Sequence, residues 1–171
     1  MTEQAPLPFS KGMLYLTWLI VLGMLTWLFG NWEDEKRNPN RNLVSTESNG
    51  EIEVVLKRNH YGQYVLNGKI NGKEATFLVD TGAYDVAMPV GMQQTFGLHR
   101  GYRGTAQTAS GYTTTWSTNI STLEIGGIVL RDVEGSLLED MPGDSILLGM
   151  KALGQLDMQQ SGDTLTLRYR Q

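Results

Sequence analysis

The segment richest in chemistry is Phe77-Leu78-Val79-Asp80-Thr81-Gly82-Ala83. An apolar strand runs directly into a carboxylate, a hydroxyl and a glycine. The strand fixes where Asp80 stands, at the end of a buried element. Gly82 permits a sharp turn in which backbone N–H groups face the carboxylate. Thr81 offers a hydroxyl to a neighbouring backbone group or to a symmetry-related copy. Together they make a rigid, partly desolvated carboxylate, a candidate for acid–base work. The same residue types also cap ordinary turns. What lifts this segment above a turn is a second unit, Ile146-Leu147-Leu148-Gly149, which again ends a strand and enters a helix.

Other chemistries find less support. The chain has 171 residues and no cysteine, which removes thiol catalysis, disulfides and cysteine-ligated metals. Its two histidines, His60 and His99, read as turn or surface residues, and no metal or cofactor is expected. Asp132, Glu134, Glu139, Asp140 and Asp144 form an acidic stretch, but calcium loops need closer ligands around a glycine turn. Ser110 has no evident base to activate it. A net charge of −4 supplies no basic field, so nucleic acid is excluded as a partner.

The elements that must position Asp80 are mostly strands. Twenty glycines suit a turn-rich β protein. Ile52, Val54 and Leu56 alternate as in a half-buried strand. Tyr64 to Leu66 and Ala75 to Val79 flank Asn71-Gly72, the strongest short hairpin signal. Pro89 through Gly97 reads as a short helix, with proline at its start and glycine past its end. Further strands are expected over 113–117, 122–125, 128–133 and 145–148, a second short helix over 150–156, and a last strand through Leu165, Leu167 and Tyr169 after the turn Ser161-Gly162-Asp163. This is an all-β pattern: a closed or nearly closed barrel of short antiparallel strands with two short helices.

Ahead of it lies a different composition. Of the 17 residues from Met13 to Phe29, 14 are apolar and none is charged, and the uncharged run extends to Trp32. At ~1.5 Å per residue that crosses a ~30 Å hydrocarbon layer. A cleaved signal peptide would have a shorter apolar stretch followed by a small-x-small site, and Gly-Asn-Trp-Glu-Asp-Glu is not one. The expected organisation is a short tail over 1–12, a transmembrane anchor in the lipid bilayer over 13–32, a solvated polar linker over 33–50 holding the folded part off the bilayer, and one domain over 51–171. Lys36, Arg37 and Arg41 follow the span and only Lys11 precedes it, a count that favours a cytoplasmic carboxyl side.

These residues resemble a known family. Asp-Thr-Gly-Ala after an apolar strand, a hairpin, then Leu-Leu-Gly before a short helix is the pattern of retropepsin-like aspartic proteases. The resemblance is closest to the bacterial single-domain branch with an amino-terminal membrane anchor. It is carried by Gly62-Gln63-Tyr64, Ile70-Asn71-Gly72, Phe77 to Ala83 and Leu147-Leu148-Gly149-Met150, and spans roughly Glu51 to Tyr169. It implies that Asp80 is the catalytic carboxylate, that Thr81 braces two active-site loops across a dimer, and that Gly82 contacts carboxylates and substrate. It implies a substrate-binding set of Ala83, Tyr84, Asp85 and a flap hairpin around 105–114 with Ala109, Ser110 and Gly111 near its tip. Leu147, Leu148 and Gly149 would support the active-site loop from below. Tyr84 departs from the pattern, since members usually carry a small or acidic residue there. Asp85 reads either as its substitute or as a surface carboxylate.

The mechanism so implied needs two carboxylates sharing one proton, one activating water and one polarising the scissile carbonyl. The chain contributes one Asp-Thr-Gly and no Asp-Ser-Gly. The resemblance therefore implies a homodimer with one Asp80 per protomer, acting on an extended peptide or protein substrate with apolar side chains in its pockets, in a bacterial inner membrane with the domain on the periplasmic side. A rival reading keeps the fold as a dimerisation or peptide-binding module that does not cut, and a third is a monomeric scaffold near lipid.

Overall fold

The computed structural model describes residues 11–108 and 111–170. The expected tail over 1–12 falls almost entirely outside them. The chain divides into one unit ending at Lys36 and another beginning at Arg37. The first is formed by a 27-residue helix, α1 (Lys11–Arg37). Its stretch Lys11–Gly30 is long and apolar enough to cross a membrane. The hydroxyls of Thr17 and Thr26 donate to the carbonyls of Met13 and Leu22, at 2.8 and 2.7 Å, so neither polar group is left unsatisfied along that stretch.

The second unit is built from eleven strands among the described residues: β1 (Ser45–Ser48), β2 (Glu51–Lys57), β3 (Val65–Ile70), β4 (Lys73–Val79), β5 (Val86–Pro89), β6 (Arg103–Thr108), β7 (Gly111–Ile125), β8 (Ile128–Leu138), β9 (Ile146–Leu148), β10 (Asp157–Ser161) and β11 (Thr164–Arg170). A 3-10 turn (Val90–Met92) runs into α2 (Gln93–Phe96), and α3 (Met150–Leu153) follows β9. The local causes are those the residues suggest. In β2, Ile52, Val54 and Leu56 are buried on one face. Asn71 and Gly72 take φ of 50° and 77°, the left-handed pair that a tight β3–β4 hairpin needs. Gly97 closes α2 in the left-handed region, its N–H returning to the Gln93 and Gln94 carbonyls.

Seven strands hydrogen-bond in the order β3-β4-β9-β5-β8-β7-β6. Strand β3 also meets β7, pairing Lys69 with Glu124 and Ile70 with Leu123. Six strands thus form a hydrogen-bonded ring, with β6 attached outside it through β7. Two pairings in the ring are parallel, β4 with β9 and β5 with β8. A four-stranded antiparallel sheet, β1-β2-β11-β10, completes the domain. One core fills it, with Phe77, Leu56, Leu66, Ile70, Ile120, Leu123, Ile146 and Leu148 fully enclosed.

The structure corrects several expectations. Residues 111–125 are one 15-residue strand rather than two short ones. Strands β5 and β10 stand where no strand is expected, Pro89 closes β5 instead of opening a helix, α3 stops at Leu153, and two pairings of the ring are parallel where an antiparallel barrel is expected. The largest correction concerns the segment expected to be a solvated linker, 33–50, which is docked in part onto the domain. Asn49-Gly50 is the turn of a β1–β2 hairpin, with φ of 52° and 75°. Asn38 and Asn40 are 7% and 4% exposed. Asn40 Nδ2 donates to the carbonyls of Lys57 and Val65 at 2.9 and 2.7 Å, and its Oδ1 accepts from the Lys57 N–H at 2.7 Å. Asn38 Nδ2 donates to Asn67 Oδ1 at 2.8 Å, and Asn59 Nδ2 donates to the Arg37 carbonyl at 2.9 Å. Polar side chains are buried here because they complete the hydrogen bonding of the ends of β2 and β3. Asn40→Ala leaves those backbone groups dry and unpaired; unfolding of the domain should lose on the order of 3 kcal/mol, measured by denaturant titration.

Candidate active site

Strand β4 ends at Val79, and Asp80 begins the loop to β5. Between those two strands in the sheet lies β9. Leu147 pairs with Leu78 on one side, in parallel, and with Ala87 on the other, antiparallel. The loop carrying Asp80 therefore straddles the end of β9. Three backbone hydrogen bonds fasten it to the last residue of β9 and the start of α3. The Asp80 N–H donates to the Leu148 carbonyl at 3.1 Å. The Met150 N–H donates to the Ala83 carbonyl and the Lys151 N–H to the Tyr84 carbonyl, both at 2.9 Å. Gly149 sits beneath the loop with no room for a side chain: a Cβ there would stand 2.1 Å from the Asp85 carbonyl oxygen and 2.7 Å from that of Ala83.

Within the loop, the Gly82 N–H donates to Asp80 Oδ1 at 2.9 Å, and the Ala83 N–H to the Asp80 carbonyl at 3.2 Å. The carboxylate is half-buried, with one oxygen held by its own turn, while Thr81 and Gly82 are exposed. This is a fixed acidic group presented at the domain surface beside an uncovered hydroxyl and a glycine.

The remaining residues of interest divide. Tyr84 is 71% exposed, with the Lys151 ammonium 5.2 Å from its ring centroid. Lys151 also pairs with Glu134 at 3.0 Å, and these two partners hold its ammonium above the usual lysine range. The Asp85 carboxylate turns toward β8, where the Ser136 hydroxyl donates to its Oδ2. Burial pushes the Asp85 carboxyl up from the usual range, against the opposing effect of that hydrogen bond. So Asp85 ties the loop to the barrel wall and is no plain surface carboxylate. Its partner Ser136 lies 51 residues away, and no sequence signal marked it. Of the acidic stretch, Asp140 Oδ2 accepts from Thr113 Oγ1 at 3.0 Å and Asp132 Oδ1 from Asn119 Nδ2 at 3.3 Å.

Strands β6 and β7 form a hairpin in register from Arg103↔Trp116 to Thr108↔Gly111. Ala109 and Ser110, its expected tip, lie outside the described residues; Gly111 opens β7 with φ of 123°.

Comparison with known proteins agrees with this geometry. Residues 66–155 match the family described as "gag-polyprotein putative aspartyl protease". A protein from Sinorhizobium sp., named for its place in the cobV 5′ region and itself uncharacterised, is 31% identical over 134 residues. That alignment takes in 76% of this chain, which spans 58% of the relative's length. The crystal structure of a retropepsin-like aspartic protease from Rickettsia conorii superposes with a TM-score of 0.60 at 26% identity, covering 75% of this chain and 96% of that one. The matched stretch contains β4, the Asp80 loop, the hairpin and β9, and with the ring of strands around them it places this chain in the retropepsin-like aspartic protease family.

Proposed function

We propose that the chain is a membrane-anchored aspartic endopeptidase that works as a homodimer. Its water would be activated by two Asp80 carboxylates, one from each protomer. The observation that carries this reading is the loop itself: the Asp80 carboxylate is locked to its own turn by the Gly82 N–H and its backbone N–H to β9, while the neighbouring Thr81 and Gly82 are exposed. A pure binding module gains nothing from bringing two such like charges together, because the pair repels unless a proton is shared. In the dimer one carboxyl accepts a proton from water while the other, protonated, hydrogen-bonds the scissile carbonyl. The proton passes on to the leaving amine. Thr81 hydroxyls would brace the two loops across the axis. Ala83, Tyr84 and the β6–β7 hairpin would line the channel for an extended substrate. The apolar stretch of α1 supports anchoring in a bilayer, and the family resemblance supports the periplasmic face.

Mixing tests the shared site. Wild-type chain and Asp80→Asn chain, co-refolded at equal amounts, should retain about one quarter of the activity of the same total wild-type chain, because only wild-type pairs carry two carboxylates. Retention of one half would mean that each chain works alone, and the dimeric site would be wrong.

A further inference from the structure

The docking of Arg37, Asn38 and Asn40 has a consequence for what the site can reach. The apolar stretch of α1 ends at Gly30. The helix continues to Arg37, whose carbonyl is already held by Asn59. Asn38 and Asn40 then lock into β2 and β3. Six residues, 31–36, and so seven residue steps, separate the end of the apolar stretch from the body of the domain. As helix they measure ~10 Å; pulled fully straight they could not exceed ~25 Å. A domain of this size has a diameter of ~35 Å. The tether is shorter than the object it holds.

We propose that this enzyme selects its substrates by height above the bilayer: it cleaves segments lying within about 60 Å of the membrane surface, and its preferred substrates are the juxtamembrane stretches of other membrane-embedded chains. The inference rests on the protease and anchor readings above. Tether and domain together set the ceiling, ~25 Å plus ~35 Å. Both partners would diffuse in the same plane, so a juxtamembrane segment meets the site at high effective concentration, while the same segment held farther out does not. The asparagine clasp is what sets this limit. Were residues 33–50 the flexible spacer their composition suggests, 18 disordered residues would extend to ~60 Å by themselves, and height would discriminate little.

The test uses the full chain in liposomes. Two single-pass substrates carry one identical cleavable segment, chosen because the enzyme cuts it in a soluble unfolded protein. In one the segment abuts the membrane span; in the other it stands on ten helical EAAAK repeats, about 75 Å out. The near substrate should be cut at least about tenfold faster. Inserting 20 Gly/Ser residues between Lys36 and Arg37 leaves the clasp intact and adds a coil of ~25 Å r.m.s. length that can stretch to ~65 Å. That variant should cut the raised substrate nearly as fast as the near one. Equal cleavage of both substrates by the wild-type chain, or an insertion that leaves their ratio unchanged, would overturn the proposal. Failure to cut even the soluble unfolded protein would instead refute the protease reading, and failure of the chain to float with liposomes would refute the anchor.

Discussion

Replacing Asp80 with asparagine should lower the cleavage of an unfolded protein substrate by about a thousandfold or more, with no change in the folded state. The size of the effect follows from acid–base catalysis, where loss of a positioned proton-transfer group costs about 10²–10⁴. In a twofold dimer one substitution removes both carboxylates at once. The lack of structural effect follows from the loop. Among the described residues, the hydrogen bond given to this carboxylate is from the Gly82 N–H to Oδ1, and an asparagine oxygen can accept the same bond. Thermal unfolding should therefore shift by no more than about 0.5 kcal/mol. The measurement is a rate assay of the full chain beside a melting curve of each protein. Comparable rates for wild type and variant would end the enzymatic reading and leave the non-cutting module in its place.

The second large effect is expected at Gly149. Its backbone angles, φ −93° and ψ −174°, are open to any residue, so the restriction is space and not conformation. The two atoms a methyl group would strike, at 2.1 and 2.7 Å, are backbone carbonyl oxygens of the Asp80 loop, which cannot swing aside as a side chain would. Gly149→Ala must push that loop off β9, breaking the bond from Met150 N–H to Ala83 and the one from Asp80 N–H to Leu148. Overpacking of this kind costs about 3 kcal/mol. Misplacing the carboxylate by even an ångström costs about a hundredfold in rate. Gly91→Ala serves as control, since nothing lies within 4 Å of a Cβ there; it should change stability by no more than about 0.5 kcal/mol. Wild-type activity and melting in Gly149→Ala would show that the loop is held by other means.

How much of this could be read from the chain depends on how local the cause is. Asn71-Gly72 announces its hairpin because both residues favour the left-handed region, whatever surrounds them. Asn49-Gly50 is the same dipeptide in the same left-handed pair, but it lies in a polar stretch whose composition reads as linker. Ile52, Val54 and Leu56 mark their strand by period alone. The Asp-Thr-Gly turn and the Leu-Leu-Gly unit are also local, and the structure puts them in direct contact. What stayed hidden is contact between distant polar residues. Nothing in Asn38-Pro39-Asn40 tells that its amides will finish the hydrogen bonding of strands that begin at Glu51 and Val65. Nothing in Asp85 tells that Ser136 will meet it. Burial of a polar side chain depends on which backbone groups the fold leaves unpaired, and that is known only once the strands are assembled. The tightness of Gly149 is of the same kind: sequence shows a glycine, and only the straddling loop shows what it must avoid.

The parallel pairing of β4 with β9 joins Phe77 to Ile146, 69 residues further along. Contacts that distant close late, since a large loop of chain must first be ordered. During synthesis the ribosome releases Asp80 long before Leu148, so a nascent protomer holds its acidic loop without a seat. If the proposed dimeric protease is right, dimers formed from partly made chains would be inert, and cleavage would be withheld until β9 has emerged and seated the loop. A chain truncated before Ile146 should be harmless for the same reason, even with its Asp-Thr-Gly intact.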